Sequence, residues 1–156
     1  MAKETMLRFL EKQIETKLAD YDTAVDWDVK NHTFEIILQL FAKNQTQEVI
    51  NDAKGVSSDE EVIEFEDAIL LYNPQKSQFN PDDFLAVIPF AGKKGMPKNQ
   101  IAGLVDYIKD ILDEGQSDLL DFLTSDQETF ELMFNKDEWT ARIKQGPTDY
   151  LPYPKY

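Results

Sequence analysis

The first hydrophobic positions of the chain repeat at helical intervals. Charged side chains separate them, and Met6 and Phe9 widen the apolar stripe. The repeating positions are Leu7, Leu10, Ile14 and Leu18. This spacing predicts an amphipathic helix over residues 4–19, whose broad apolar face packs on a sheet.

The hydrophobic period then changes from helical to alternating. Apolar side chains occupy every second position over residues 23–29 and again over residues 33–41. Such alternation is typical of strands that bury one face. Because only Lys30, Asn31 and His32 separate the two stretches, they are predicted to form a hairpin.

A third long strand is predicted over residues 61–72. Ile63, Phe65, Ile69 and Leu71 share one face, and Asp67 falls on the same face. Two explanations of this acid stay open. Either a bulge near residue 67 turns the carboxylate outward, or Asp67 is a partly buried acid that needs a partner.

Two weaker strand signals complete the predicted sheet. Residues 48–50 are predicted to be at most a short strand extension between turn-forming stretches. Residues 84–90 predict another strand, in which Pro89 lies at an edge or at the strand end because proline cannot donate a ladder hydrogen bond.

The second half of the chain predicts helices. Pro97 suits the first turn of a helix that is predicted to stop at Gly115. Ser117 and Ser125 are predicted to cap two short helices, the second with Glu128 at capping-box spacing. A last helix is predicted to begin with Asp137 as its cap and to end at residues 146–147.

The order of these elements predicts an α+β fold. It comprises an N-terminal helix, an antiparallel β-meander of about four to five strands, and C-terminal helices packed on the sheet. No linker or repeat divides the chain, so residues 1–156 are predicted to form a single domain. Pro152 and Pro154 predict an extended tail over residues 147–156.

Composition excludes several kinds of chemistry. The chain has no cysteine, and His32 is its only histidine. Thiolate catalysis, thiolate zinc sites and multi-histidine metal sites are therefore excluded. No stretch has the length and apolarity of a membrane span, so a soluble, cytoplasmic protein is expected. No cofactor is predicted.

The charge of the chain is strongly acidic. Lys and Arg total 16 against 30 Asp and Glu, which gives a formal net charge of −14. Nucleic acids and anionic membranes are disfavoured as partners, and a basic protein is favoured. Eleven acids against two lysines lie between residues 103 and 138. Asp106, Asp110 and Asp113 are the candidate contacts there, although a solvated helix face opposite a buried apolar stripe is the favoured interpretation.

Tyrosines near the end of the chain form a second candidate contact surface. Tyr150, Tyr153 and Tyr156 are spaced three residues apart. Tyrosine is common at protein interfaces. The favoured alternative is that these rings staple the tail across the domain.

Carboxylates and the single histidine supply the other candidate site residues. Asp26 and Asp28 share a strand face and, with Asp67, are candidate ligands for a divalent cation. The spacing does not fit an EF-hand, and a solvated strand face is the favoured interpretation. His32 is expected to be an exposed turn residue, and residues 92–95 lack the spacing of a phosphate-binding loop.

Several short motifs together resemble the bacterial family known as domain of unknown function 3013. They are VDWD at 25–28, NH at 31–32, FED at 65–67, LYNP at 71–74, IPF at 88–90, KKG at 93–95, GQSDLLDFL at 115–123 and YPKY at 153–156. The resemblance covers almost the whole chain. It implies a small bacterial protein, and it brings no functional residues with it.

These observations predict a non-enzymatic, protein-binding or chaperone-like module with an acidic surface. The element order is similar to that of bacterial secretion chaperones, and this analogy predicts a homodimer. The alternative is an enzyme that acts on a small molecule or needs a divalent cation, using a carboxylate-lined pocket.

Overall fold

A computed structural model describes residues 4–43, 50–51, 57–58, 62–122, 131–144, 146 and 148–154. Within these residues the helices are α1 (Met6–Lys17), α2 (Lys98–Phe122) and α3 (Lys136–Arg142). The strands are β1 (Asp22–Asp28), β2 (Thr33–Lys43), β3 (Ile50–Asn51), β4 (Ser57–Ser58), β5 (Val62–Tyr72), β6 (Ala86–Pro89), β7 (Met96–Pro97) and β8 (Tyr150–Leu151). Short turns of 3₁₀ helix lie at Pro81–Asp83 and Gly92–Lys94.

The main sheet has the strand order β1-β2-β5-β6. The first three strands pair antiparallel, as predicted, and β6 runs parallel to β5. Two-residue strands form the separate pairs β3-β4 and β7-β8. The α+β class is confirmed. The parallel fourth strand departs from a pure meander because residues 73–85 carry the chain back beside the second half of β5, where Ala86 pairs with Ile69.

Both long helices pack on one face of this sheet, which we call the inner face. Along β2, buried Phe34, Ile36, Leu38 and Leu40 point to it. Helix α1 begins at the cap Thr5, whose hydroxyl accepts a hydrogen bond from the Arg8 N–H. The helices contribute to the same core the side chains of Met6, Leu10, Ile14, Ile101, Leu104, Ile108 and Leu112. Helix α2 packs on β2, and α1 packs mainly on α2, so the apolar face of α1 is buried as predicted.

Helix α2 does not stop at Gly115, contrary to the sequence prediction. It continues to Phe122, so Ser117 lies inside the helix and caps nothing. A Cβ atom at Gly115 would lie 2.5 Å from Leu132 Cδ2 and 3.0 Å from Leu40 Cδ1. The glycine therefore allows close packing against neighbouring side chains, which local sequence cannot distinguish from a helix end.

The start and end of the last helix also differ from prediction. The cap of α3 is Asn135, whose side-chain oxygen accepts a hydrogen bond from the Asp137 N–H at 2.9 Å. The helix ends at Arg142, before Gly146. Residues 131–135 are not helical, and the predicted cap at Ser125 lies outside the described residues. Most of the predicted extension at 48–50 lies outside them as well, and only Ile50 is seen, in β3.

No helix in the described ranges has the length and hydropathy that crossing a bilayer requires.

Candidate functional site

The C-terminal tail crosses the start of both long helices. Strand β8 pairs with β7, the Met6 N–H donates to the Pro152 carbonyl at 3.0 Å, and the Tyr153 N–H donates to the Lys93 carbonyl at 3.2 Å. Gly95 makes this path possible, since it has a φ of 81° and a Cβ there would lie 1.8 Å from the Leu151 carbonyl oxygen. Any side chain at this position would push the tail away.

Tyr153 anchors the tail in an aromatic cluster. Its hydroxyl accepts a 2.8 Å hydrogen bond from the Trp27 indole nitrogen. Its ring centroid lies 5.5 Å from that of Phe34, 5.6 Å from that of Phe90 and 5.7 Å from that of His32. At this position the structure has the favoured alternative, in which a tyrosine fixes the tail to the rest of the domain.

A cavity of about 700 Å³ opens beside the anchored tail. We call it the tail groove. Its lining residues are His32, Asn73, Gln75, Lys76, Gly92, Lys93, Pro152, Tyr153 and Pro154. The volume lies within the roughly 300–1,000 Å³ of small-molecule sites, and four separate chain segments meet there.

The lining of the tail groove is basic, although the chain as a whole is acidic. Among the described residues, no carboxylate lines it, and Lys76 and Lys93 have no ion-pair partner. Other bases of the protein, such as Lys17 and Arg142, pair with aspartates. Two lysines without a counter-charge form a local positive potential that attracts anions.

Asn73 adds a polar group to this wall. It is only 8% exposed, and its side-chain oxygen accepts a hydrogen bond from the Gln75 N–H at 2.9 Å. Its amide nitrogen lies beside Gly92, 3.8 Å from where a Cβ would stand, and has no acceptor among the described residues. Because no described protein group accepts a hydrogen bond from it, this donor is available to a ligand oxygen at this point.

His32 is placed differently from the sequence expectation. It does lie in the β1–β2 turn, with a φ of 55°, but it is partly buried against Tyr153 and lines the groove. The tail, which comes from the other end of the sequence, covers it. A local turn signal therefore could not predict its burial.

The candidate cation ligands lie on two different faces of the sheet. Asp26 and Asp28 are exposed on the outer face, whereas Asp67 pairs with Leu38 on the inner face. The three cannot share one ion. Asp26 and Asp28 do border a cavity of about 270 Å³ together with Glu35 and Asp83. In the described part of the chain, no three acidic or histidine side chains come together closely enough to hold a metal.

Glu35 lies directly across from Asp26 in the β1–β2 ladder. Partial burial raises the pKa of Glu35, and the negative charges of Asp26 and Glu66 raise it further. The outer face is therefore electrostatically strained at neutral pH, because like charges stand opposite one another.

Asp67 is the partly buried acid that the second sequence explanation describes. The pairing of β2 with β5 is continuous from residue 62 to residue 72, which excludes the bulge. The carboxylate accepts a 2.8 Å hydrogen bond from the Ala68 N–H. Burial raises the pKa of Asp67, while hydrogen bonds from the Ala68 and Leu85 backbones partly offset the increase.

The candidate aspartates of α2 are engaged within the protein. Asp106 pairs with Lys17 of α1 at 2.6 Å, and Asp110 pairs with Arg142 of α3 at 2.6 Å. Asp113 pairs with Lys109 at 3.0 Å and also accepts a hydrogen bond from the Tyr21 hydroxyl. These three acids thus join α2 to its neighbours and are partly neutralised.

The remaining tyrosines do not join Tyr153 in one surface. Tyr150 is exposed, and the Lys94 ammonium lies 4.1 Å from its ring centroid. Tyr156 lies outside the described residues. The predicted three-tyrosine patch therefore reduces, in the described chain, to one exposed ring and one anchored ring.

Sequence reasoning missed the tail groove as a site. Lys93 was visible only as part of a turn, and His32 and Tyr153 are 121 residues apart. The one available signal was a pair of lysines between two glycines in an acidic chain. Nothing local indicated that the hairpin turn, two loops and the tail would meet.

Comparisons with known proteins agree with the fold and leave the activity open. A solved structure of a conserved protein of unknown function from Enterococcus faecalis has 44% identity and a TM-score of 0.89, covering 99% of this chain and 98% of that chain. No curated protein gives a significant match. The sequence profile of the family described as "Protein of unknown function (DUF3013)" matches residues 1–155. The resemblance read from the motifs is confirmed, and the chain belongs to the DUF3013 family.

Proposed function

We propose that this protein is a non-enzymatic binding protein that holds an anionic group of its ligand in the tail groove. The observation that carries the proposal is the lining of the groove. Lys76 and Lys93 face no carboxylate there, and the Asn73 amide nitrogen has no acceptor among the described residues. A carboxylate or phosphate would satisfy all three groups.

The same lining argues against catalysis in the groove. Among the described lining residues there is no serine, threonine or carboxylate, and the Tyr153 hydroxyl is hydrogen-bonded to Trp27. The serine or threonine nucleophiles and the carboxylate acids and bases of many enzymes are therefore not found in this lining. The groups present suit recognition of charge.

Thermal unfolding with added anions tests this function. Inorganic phosphate, citrate and glutamate at millimolar concentration should raise the melting temperature at constant ionic strength, because a ligand that binds only the folded state stabilises it. The double variant Lys76→Gln/Lys93→Gln should lose the increase. Lys136→Gln/Lys144→Gln removes the same charge from residues that line neither cavity, and should retain it. No increase with any of these anions would refute the function.

Binding of a basic protein by the acidic helices stays a prediction and is the weaker candidate. Asp106, Asp110 and Asp113 already pair with internal bases, so they would contribute less to a partner. The cytoplasmic location and the homodimer stay predictions too. Size-exclusion chromatography with light scattering tests the dimer.

The cation-dependent alternative rests on the smaller cavity beside Asp26 and Asp28. It can be tested by the same thermal method with calcium, magnesium and manganese. An increase in melting temperature that Asp26→Asn removes would support it. The absence of any increase at millimolar ion would rule it out.

A further inference from the structure

A second depression continues the tail groove. It has a volume of about 460 Å³ and shares Asn73, Gln75, Gly92 and Lys93 with the groove. Its other lining residues are Pro74, Phe90, Ala91 and Lys94. Four residues line both depressions, so the two adjoin each other, and we call them together the channel.

Basic groups are spread along this channel. Lys76 lies in the tail groove only, Lys93 lies where the two depressions meet, and Lys94 lies in the second depression. None of the three has a carboxylate partner in the part of the chain that the structure describes. One compact anion would contact only part of this array, whereas a ligand with several separated negative charges would contact all of it.

The groups between the lysines suit a polypeptide backbone. Asn73 lines both depressions, and its amide nitrogen is an available donor for a peptide carbonyl. Tyr153, Pro152 and Pro154 provide a rigid, partly apolar wall, and such residues bind extended peptides at low entropic cost. The matching ligand has a neutral hydrogen-bond acceptor, such as a peptide carbonyl, between negatively charged groups. An acidic peptide has this arrangement.

We infer that the occupant of this channel is an extended acidic segment of a partner protein. The inference rests on the proposed function and narrows its ligand to a peptide with several carboxylates. Charge complementarity is local, because the whole chain carries −14. The contacts themselves must therefore provide the affinity, and long-range attraction does not.

Trp27 provides a built-in reporter for the test. Its indole nitrogen is bonded to the Tyr153 hydroxyl at 2.8 Å, so a ligand that moves Tyr153 changes the environment of Trp27. Trp139→Phe removes the other tryptophan, which packs against Phe134 away from the groove. Anisotropy of a fluorescein-labelled peptide with the unaltered protein gives a second, independent measurement.

The probes are an acetylated and amidated hexaglutamate, its hexaglutamine analogue, free glutamate, inorganic phosphate and oligouridylate. We expect hexaglutamate to bind and to change Trp27 emission, and hexaglutamine not to bind. Lys76→Gln/Lys93→Gln should raise the dissociation constant for hexaglutamate about tenfold or more, the effect expected for lost charge contacts. Lys136→Gln/Lys144→Gln should leave it unchanged.

The outcomes separate this inference from the proposed function. If phosphate or glutamate binds and hexaglutamate binds no more tightly than free glutamate, the peptide inference is wrong and the function stands. Tighter binding of oligouridylate than of hexaglutamate would also overturn the inference. Equal loss of affinity in both double variants would mean a general charge effect and overturn it. If no probe binds, both the inference and the function fail.

Discussion

The indole nitrogen of Trp27 donates a hydrogen bond to the hydroxyl of Tyr153, joining strand β1 to a tail residue 126 positions later. The two rings meet edge to face, with centroids 5.9 Å apart. Tyr153 lines the tail groove with Pro152 and Pro154, so this contact holds one wall of the groove in place. The groove therefore exists only while the tail is anchored.

Removing the hydroxyl tests the anchor directly. Tyr153→Phe keeps the ring and should lower the free energy of unfolding by about 1 kcal/mol, the typical contribution of one hydrogen bond. It should also change Trp27 emission. Urea unfolding followed by fluorescence measures both. Tyr150→Phe is the matched control, because Tyr150 is exposed, and an equal loss there would contradict the anchor.

Gly95 should tolerate no side chain. Gly95→Ala places a Cβ against the Leu151 carbonyl at a positive φ, so the tail must move, and we expect a loss of about 3 kcal/mol or more. Gly146→Ala is the control, since Gly146 also has a positive φ, 116°, but nothing lies within 4 Å of its Cβ position. It should cost about 1 kcal/mol, from backbone strain alone. Equal melting temperatures for the two variants would argue against the close contact at Gly95.

Tyr21 should make the protein sensitive to alkali. Burial raises the pKa of Tyr21, and the hydrogen bond to Asp113 and the charge of that acid raise it further. Above about pH 10 the unfolded chain loses this proton while the folded chain keeps it, so stability falls as pH rises. Tyr21→Phe should remove this part of the loss, measured as unfolding free energy against pH. Tyr150→Phe should retain it, and the same alkaline slope in both variants would contradict the prediction.

Asp67 should reduce stability at neutral pH. Because burial raises its pKa, the folded state binds its proton more tightly, and stability falls as pH rises through the folded pKa. Asp67→Asn keeps an acceptor for the Ala68 N–H and removes the charge. We expect it to raise the melting temperature at pH 7, with a gain that shrinks toward pH 4. The exposed Asp118→Asn is the control, and a less stable Asp67→Asn protein at pH 7 would refute the prediction.

Local patterns predicted the regular elements well, because they depend on neighbours along the chain. Alternation over residues 23–29 and 33–41 predicted β1 and β2, and the three residues between them predicted the hairpin. The α1 helix followed from its apolar stripe. Gly115 was misread because its signal is the same whether glycine ends a helix or allows close packing, and only Leu132 and Leu40 distinguish the two.

The candidate site residues were harder to predict, because their partners come from distant parts of the chain. The sequence identified Asp67 as a possible buried acid. Side chains alternate between the two faces of a strand, and this alternation alone places Asp67 on the apolar face of β5. It did not predict that Asp106 and Asp110 would be paired, because Lys17 and Arg142 reach them from other helices. Ion pairs of this kind depend on helix packing, which a linear pattern does not contain.

The sequence by itself determined the secondary structure of the hairpin, the acidic charge and the absence of cysteine chemistry. The tertiary structure decided where basic side chains gather in this acidic chain. His32, Lys76, Lys93 and Tyr153 lie on four distant segments, and they meet because the hairpin turn, the two loops that flank β6 and the tail pack together. A basic groove can exist in a chain of −14 because local potential depends on which side chains are neighbours in space, whereas net charge depends only on how many there are.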